Sequence, residues 1–89
     1  MVTEICLMTD LSNEDIKRIK ENVPIKVGNK IREIRESKGL TQIELANKIQ
    51  SDRQYLYKIE KAKVSVSVSK LAIIAKALDI TIKELVDFE

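Results

Sequence analysis

Arg53, Gln54, Tyr55 and Lys58 stand together in the stretch DRQYLYKIE, residues 52–60, which opens on Asp52. All four side chains are long and carry their chemistry near the tip. In the major groove a guanidinium can hold guanine at two points, and a carboxamide can hold adenine the same way. An ammonium group and the free amides of a helix N-terminus favour phosphate. Leu56 and Ile59 form a narrow apolar seam at helical spacing, which turns the four polar tips away from the packed side. The chemistry on offer is recognition of duplex DNA, with no bond made or broken.

Other chemistries lack their residues. The chain has no histidine, so no imidazole base or ligand is present. Its two glycines, Gly28 and Gly39, make no phosphate-cradling loop. Each carboxylate has a lysine or arginine nearby in sequence, as on solvated helix faces. The single cysteine, Cys6, cannot staple the monomer and reads as a small apolar residue. No catalytic residue, metal site, cofactor or small-molecule substrate is expected, and the chain reads as non-enzymatic. No apolar run reaches the ~20 residues of a membrane span, and the N-terminus lacks signal-peptide features. A cytoplasmic protein that does not meet the membrane is the expectation.

Charge points to the same place. The net charge is only +2, but residues 1–26 carry four basic and five acidic groups, and residues 27–89 carry 12 and nine. Between Lys48 and Lys63 there are five basic residues and two acidic ones. A local positive excess suits a local anionic partner.

Eighty-nine residues make one small domain. The elements that must position these side chains read as all-α. Val2, Ile5, Cys6, Leu7 and Met8 are a short strand or apolar arm. Ser12 caps a helix through Ile16, Ile19 and Val23, and Val23-Pro24 is expected to end it. A second helix runs from about Val27 to Lys38 and stops at Gly39. Thr41-Gln42-Ile43-Glu44 is a capping box for a helix through Leu45, Ala46 and Ile49. Asp52 caps the next helix. VSVSVS, residues 64–69, alternates like a strand but has no evident pairing partner, so it reads as an extended loop with Ser67 as a cap. A helix through Leu71, Ile74, Ala75 and Leu78 follows. Thr81-Ile82-Lys83-Glu84 is a second capping box, opening a last short helix with Leu85, Val86 and Phe88. The expected fold is a compact five-helix domain over residues 27–89, with residues 1–26 as an N-terminal extension (strand or arm plus helix).

Two short helices joined by a tight turn, with the small Ala46 where they cross, form a helix-turn-helix. The first braces across the DNA backbone, and the second enters the major groove by its N-terminal end. Arg53 and Gln54 would meet bases. Tyr55 either touches DNA or packs on the neighbouring loop, and Tyr57 reads as a surface residue.

At these residues the chain resembles the lambda-repressor-like helix-turn-helix family of Cro and repressor proteins. The carriers are IREIRESKGLTQIELANKI, YLYKIEKAK and LAIIAKALDITIKELV, from Val27 to Phe88. DRQYLYKIE is also similar to the recognition helices of restriction–modification controller proteins. The resemblance implies that Gln42 contacts a DNA phosphate and that Arg53, Gln54 and Lys58 meet bases or nearby phosphates. It places Lys63 in a loop that grips the backbone, and it pairs Arg35 with Glu60 in a partly buried salt bridge. Gln50 stands where the family's turn usually has glycine. Ala62 and Val66 stand where glycine and proline are common.

The implied function is a small transcriptional regulator, a repressor or autoregulator binding double-stranded DNA. One recognition helix reads few base pairs, so a homodimer on a palindromic operator is expected. Ile82, Val86 and Phe88 are its candidate interface, with the arm Val2–Met8 as a rival, while Ile80 and Leu85 close the core. The alternative is a protein-interaction module, such as an antitoxin subunit or coactivator-like adaptor.

Overall fold

The computed structural model describes residues 11–88. The arm read over Val2–Met8, with Cys6 in it, lies outside them. The first helix, α1, spans Asn13–Ser37. Ser12 opens it with a full capping box: its Oγ accepts from the Asp15 amide at 3.1 Å, and the Asp15 carboxylate accepts from the Ser12 amide.

The expected break at Val23-Pro24 is corrected here, because α1 runs unbroken through Pro24. Proline removes one donor, so the Lys20 carbonyl loses its partner in the helix. Lys20 is exposed, and water can take that carbonyl's lone pairs. The extension helix and the first helix of the expected domain are therefore one rod of 25 residues.

Four shorter helices follow: α2 Gln42–Lys48, α3 Arg53–Glu60, α4 Val68–Ala77 and α5 Ile82–Leu85. Their starts follow the polar caps. Thr41 with Glu44 and Thr81 with Glu84 form capping boxes, while Asp52 and Ser67 each accept a single amide. The last helix is shorter than the sequence implies: Val86 is its C-cap and Phe88 lies beyond it.

The stops of α1 to α4 share one geometry. Each ends in a left-handed residue, followed by an amide that reaches back to the third-last helical carbonyl, as in Leu40 to Arg35 and Ser51 to Ala46. Only the first stop uses glycine, Gly39 at φ 71°. Gln50, Ala62 and Asp79 adopt φ of 54°, 59° and 59°, a strain of roughly 1–2 kcal/mol each.

One core joins the five helices of the described residues. Val27 and Ile31 of α1, Leu45 and Ile49 at α2, and Leu56 and Ile59 of α3 meet Ile74, Leu78 and Leu85. Burial of each such side chain contributes ~1.5–3 kcal/mol. Residues 64–67 alternate as written, with Val64 and Val66 half-buried against the core and Ser65 and Ser67 outward, but they join no strand. No helix among the described residues is long and apolar enough to cross a membrane.

Candidate nucleic-acid interface

Leu56 and Ile59 are fully buried and hold one side of α3 against the core. The turn before it is closed by the Ser51 amide, which donates to the Ala46 carbonyl at 2.8 Å. Ala46 is itself buried, so a larger residue there would push α2 and α3 apart. On the outer side of α3, Arg53 and Gln54 are exposed in the first turn and Lys58 is half-buried. Asp52 Oδ1 accepts from the Tyr55 amide at 2.7 Å, which leaves the remaining N-terminal amides of α3 free for a ligand.

A polar network pins the other end of α3. Arg35 Nε donates to Glu60 Oε2 at 2.8 Å and its NH2 group donates to Oε1 at 3.2 Å, a two-point grip. Arg35 NH1 donates to the Leu40 carbonyl at 2.8 Å, which ties the α1–α2 turn into the same network. Gln42 Nε2 donates to Glu60 Oε1 at 3.1 Å. Arg35 and Glu60 are both buried, and no buried side-chain polar atom among the described residues lacks a partner. A buried charge pair tolerates burial only when so fully matched.

Glu44, on the exposed first turn of α2, is held below its ordinary pKa. The Thr41 backbone amide is the main cause, followed by the Thr41 hydroxyl, with Lys48 adding a smaller attraction.

Gly28 completes the placement. A Cβ built on it would lie 2.6 Å from the Ile59 carbonyl oxygen and 2.7 Å from that of Glu60. Only glycine lets α1 approach the end of α3 so closely. Residues 31–85 of this fold match the helix-turn-helix (HTH_3) family, which is more than half of the chain.

The chain belongs to that helix-turn-helix family.

Several relatives within reach of it are regulators. The immunity repressor protein of Bacillus phage phi105 is 40% identical over 63 residues, covering 71% of this chain and 44% of the repressor. Control protein C.MunI of Mycoplasma sp is 38% identical over 65 residues, covering 72% of this chain and 88% of that protein. The crystal structure of the restriction-modification controller protein C.AhdI from Aeromonas hydrophila superposes with a TM-score of 0.68 at 39% identity. The match covers 70% of this chain and 94% of that one. This chain thus spans less than half the length of the phage repressor and most of the length of the two controller proteins.

Within this helix-turn-helix fold the other sequence-derived site residues fall in four places. Gln42 sits at the start of α2, half-buried and bonded to Glu60. Tyr55 is half-buried and packs against the core, with Lys70 Nζ 5.4 Å from its ring centre. Lys63 is exposed in the loop after α3, and Tyr57 is exposed with Lys61 Nζ 6.0 Å from its ring. Far from these, Ile82, Val86 and Phe88 remain exposed by 39%, 38% and 36%, while Leu85 is buried and Ile80 half-buried.

Two residues escaped the sequence reading. Gly28 interrupts the apolar repeat of Val27 and Ile31, and a helix-interior glycine costs ~1 kcal/mol relative to alanine. That cost was the available signal of a close backbone approach. Lys70 had no signal, because its nearness to Tyr55 joins two different helices through the tertiary fold.

Proposed function

We propose that this chain binds duplex DNA sequence-specifically as a small transcriptional regulator, a repressor or autoregulator. The observation that carries this reading is the division of α3. Its apolar side is buried and its C-terminal end is pinned by Arg35, Glu60 and Gly28, while Arg53 and Gln54 stand free at its N-terminal end. A helix pinned at one end and presenting two-point hydrogen-bonding side chains by its first turn is what base reading in the major groove requires. In this reading Arg53 and Gln54 contact bases, with Tyr55 and Lys58 at the edge of the site. Gln42 and Lys63 contact phosphate and set the register. The names of the relatives, a repressor and control proteins, agree with it.

The same reading has two copies acting on a palindromic operator through Ile82, Val86 and Phe88, whose apolar surface the monomer leaves partly uncovered. Residues 1–26 then form an extension to the DNA-binding domain of residues 27–89. A protein-interaction module is the second reading, and exposed Ile16, Ile19 and Val23 on α1 favour it.

Selection of bound duplex from a random pool tests the proposal. The wild type should enrich one palindromic motif, and Arg53→Ala should relax it at one position per half-site, at a cost of ~1–3 kcal/mol for the preferred base. An unchanged motif in Arg53→Ala would remove the base-reading role. Sedimentation of the wild type beside Phe88→Glu, with and without the selected duplex, tests the interface. A wild type that stays monomeric in both conditions would rule the dimer out.

A further inference from the structure

The family match begins at residue 31 and assigns nothing to the first half of α1. We infer that this half is a second phosphate-binding element, in which Lys20 and Lys17 extend the backbone grip of the loop after α3 along the flanking duplex. The inference rests on the DNA reading above and adds a contact surface to it.

Three observations carry it. Lys20 and Glu21 of α1 line one cleft together with Lys61, Lys63 and Ser65 of that loop. The cleft is therefore lined by three lysines and one glutamate. Lys17 lies three residues before Lys20, on the same side of the helix and ~4.5 Å further out along its axis.

These cations also have no carboxylate partner among the described residues, and Lys61 lies near the Tyr57 ring. Arg35 with Glu60 is the only salt bridge among the described residues, so no described carboxylate lies within 4.0 Å of the Lys17, Lys20, Lys61 or Lys63 ammonium. Gathered like charges repel one another, and a polyanion laid along them relieves the repulsion. Finally, a close seat sets where α1 lies against the end of α3. Gly28 seats α1 on the Ile59 and Glu60 carbonyls, two turns from Lys20, and the helix runs unbroken between them. The cleft lies beside the same contact that positions α3, and α1 continues as helix from that contact to Lys20.

A row of lysines spaced along a rod suits the repeating diester charges of a nucleic-acid backbone. Neither Lys17 nor Lys20 supports the core, so both can be changed without unfolding the chain.

The test uses the full chain and the selected operator, in two duplexes: one with nonspecific flanks and one cut flush at the operator ends. Affinity is measured across a salt series. On the flanked duplex Lys20→Ala should flatten the log–log salt slope by ~0.9, and Lys17→Ala with Lys20→Ala by ~1.8. Lys20→Arg should keep the wild-type slope. On the flush duplex these differences should vanish, and the selected base motif should be the same for every variant. Matching helicity and unfolding midpoints would show that the variants are folded. Slopes unchanged in both alanine variants on the flanked duplex, while Lys63→Ala flattens it, would overturn the extension's role and leave the DNA reading standing. A wild type with no salt-dependent binding to either duplex would overturn both.

Discussion

The two halves of α1 have the same backbone and opposite fates. From Asn13 to Lys26 no residue is buried, and Ile16, Ile19, Val23 and Ile25 are each at least 40% exposed. From Val27 to Ser37 the helix buries Val27, Gly28, Ile31 and Arg35. The first half has the better local signals, with a full capping box at Ser12 and acidic residues in its first turn. The second half has no cap of its own at its start and a glycine inside it. Local propensity thus accounts for where the rod begins, and tertiary contact accounts for which part of it is held. Helical stability in proteins comes mainly from such packing.

The largest expected effect that would sharpen this contrast is at Arg35. Arg35→Ala leaves the Glu60 carboxylate buried without its guanidinium and should cost ~3–5 kcal/mol in denaturant unfolding. A double-mutant cycle with Glu60→Ala should recover a large part of that loss as coupling energy. Absence of coupling would mean that the pair contributes little to holding α3.

Gly28→Ala comes next. Its Cβ would meet backbone carbonyls that have no flexible end to move, so α1 and α3 must separate, at roughly 1–3 kcal/mol. Ile19→Ala, nine residues earlier on the same helix, should stay within about 0.5 kcal/mol of the wild type. If the two variants unfolded at the same midpoint, the contrast between the halves would be lost.

The smallest effect is a pH response at the held end of the turn, at Glu44. Its folded-state pKa lies below the ordinary value of 4.5, chiefly because the Thr41 backbone amide donates to the carboxylate. The stabilisation is present above that ordinary value and is lost as pH falls through the folded pKa. Titration of the Glu44 carboxyl by NMR should show the lowered midpoint, and Thr41→Ala, which removes the hydroxyl and keeps the amide, should raise it part of the way towards the ordinary value.

Much of the fold was legible because it rests on short-range rules. Caps at Ser12, Thr41, Asp52, Ser67 and Thr81 mark the helix starts, since a side-chain oxygen there reaches an amide only two or three residues on. Gly39 marked a stop by its residue type, while Gln50 and Ala62 were legible only as positions where the family has glycine; the packing on either side holds these two and Asp79 left-handed without glycine's freedom. Pro24 misled for a related reason: the rule about the residue before proline is a preference, and an exposed helix can leave one carbonyl to water.

By itself the sequence determined that Arg53, Gln54 and Lys58 lie outside an apolar seam, because a 3.6-residue period separates faces with no need of a partner. It also carried the family pattern that brings Arg35 to Glu60. Tertiary structure alone decided the close seat of Gly28 on the carbonyls of Ile59 and Glu60, the bond from Gln42 to Glu60, and the gathering of Lys20 with Lys61 and Lys63. These contacts join residues 18 to 43 positions apart. Chain-local preferences act over about one helical turn, and only the packing of whole helices brings such residues together.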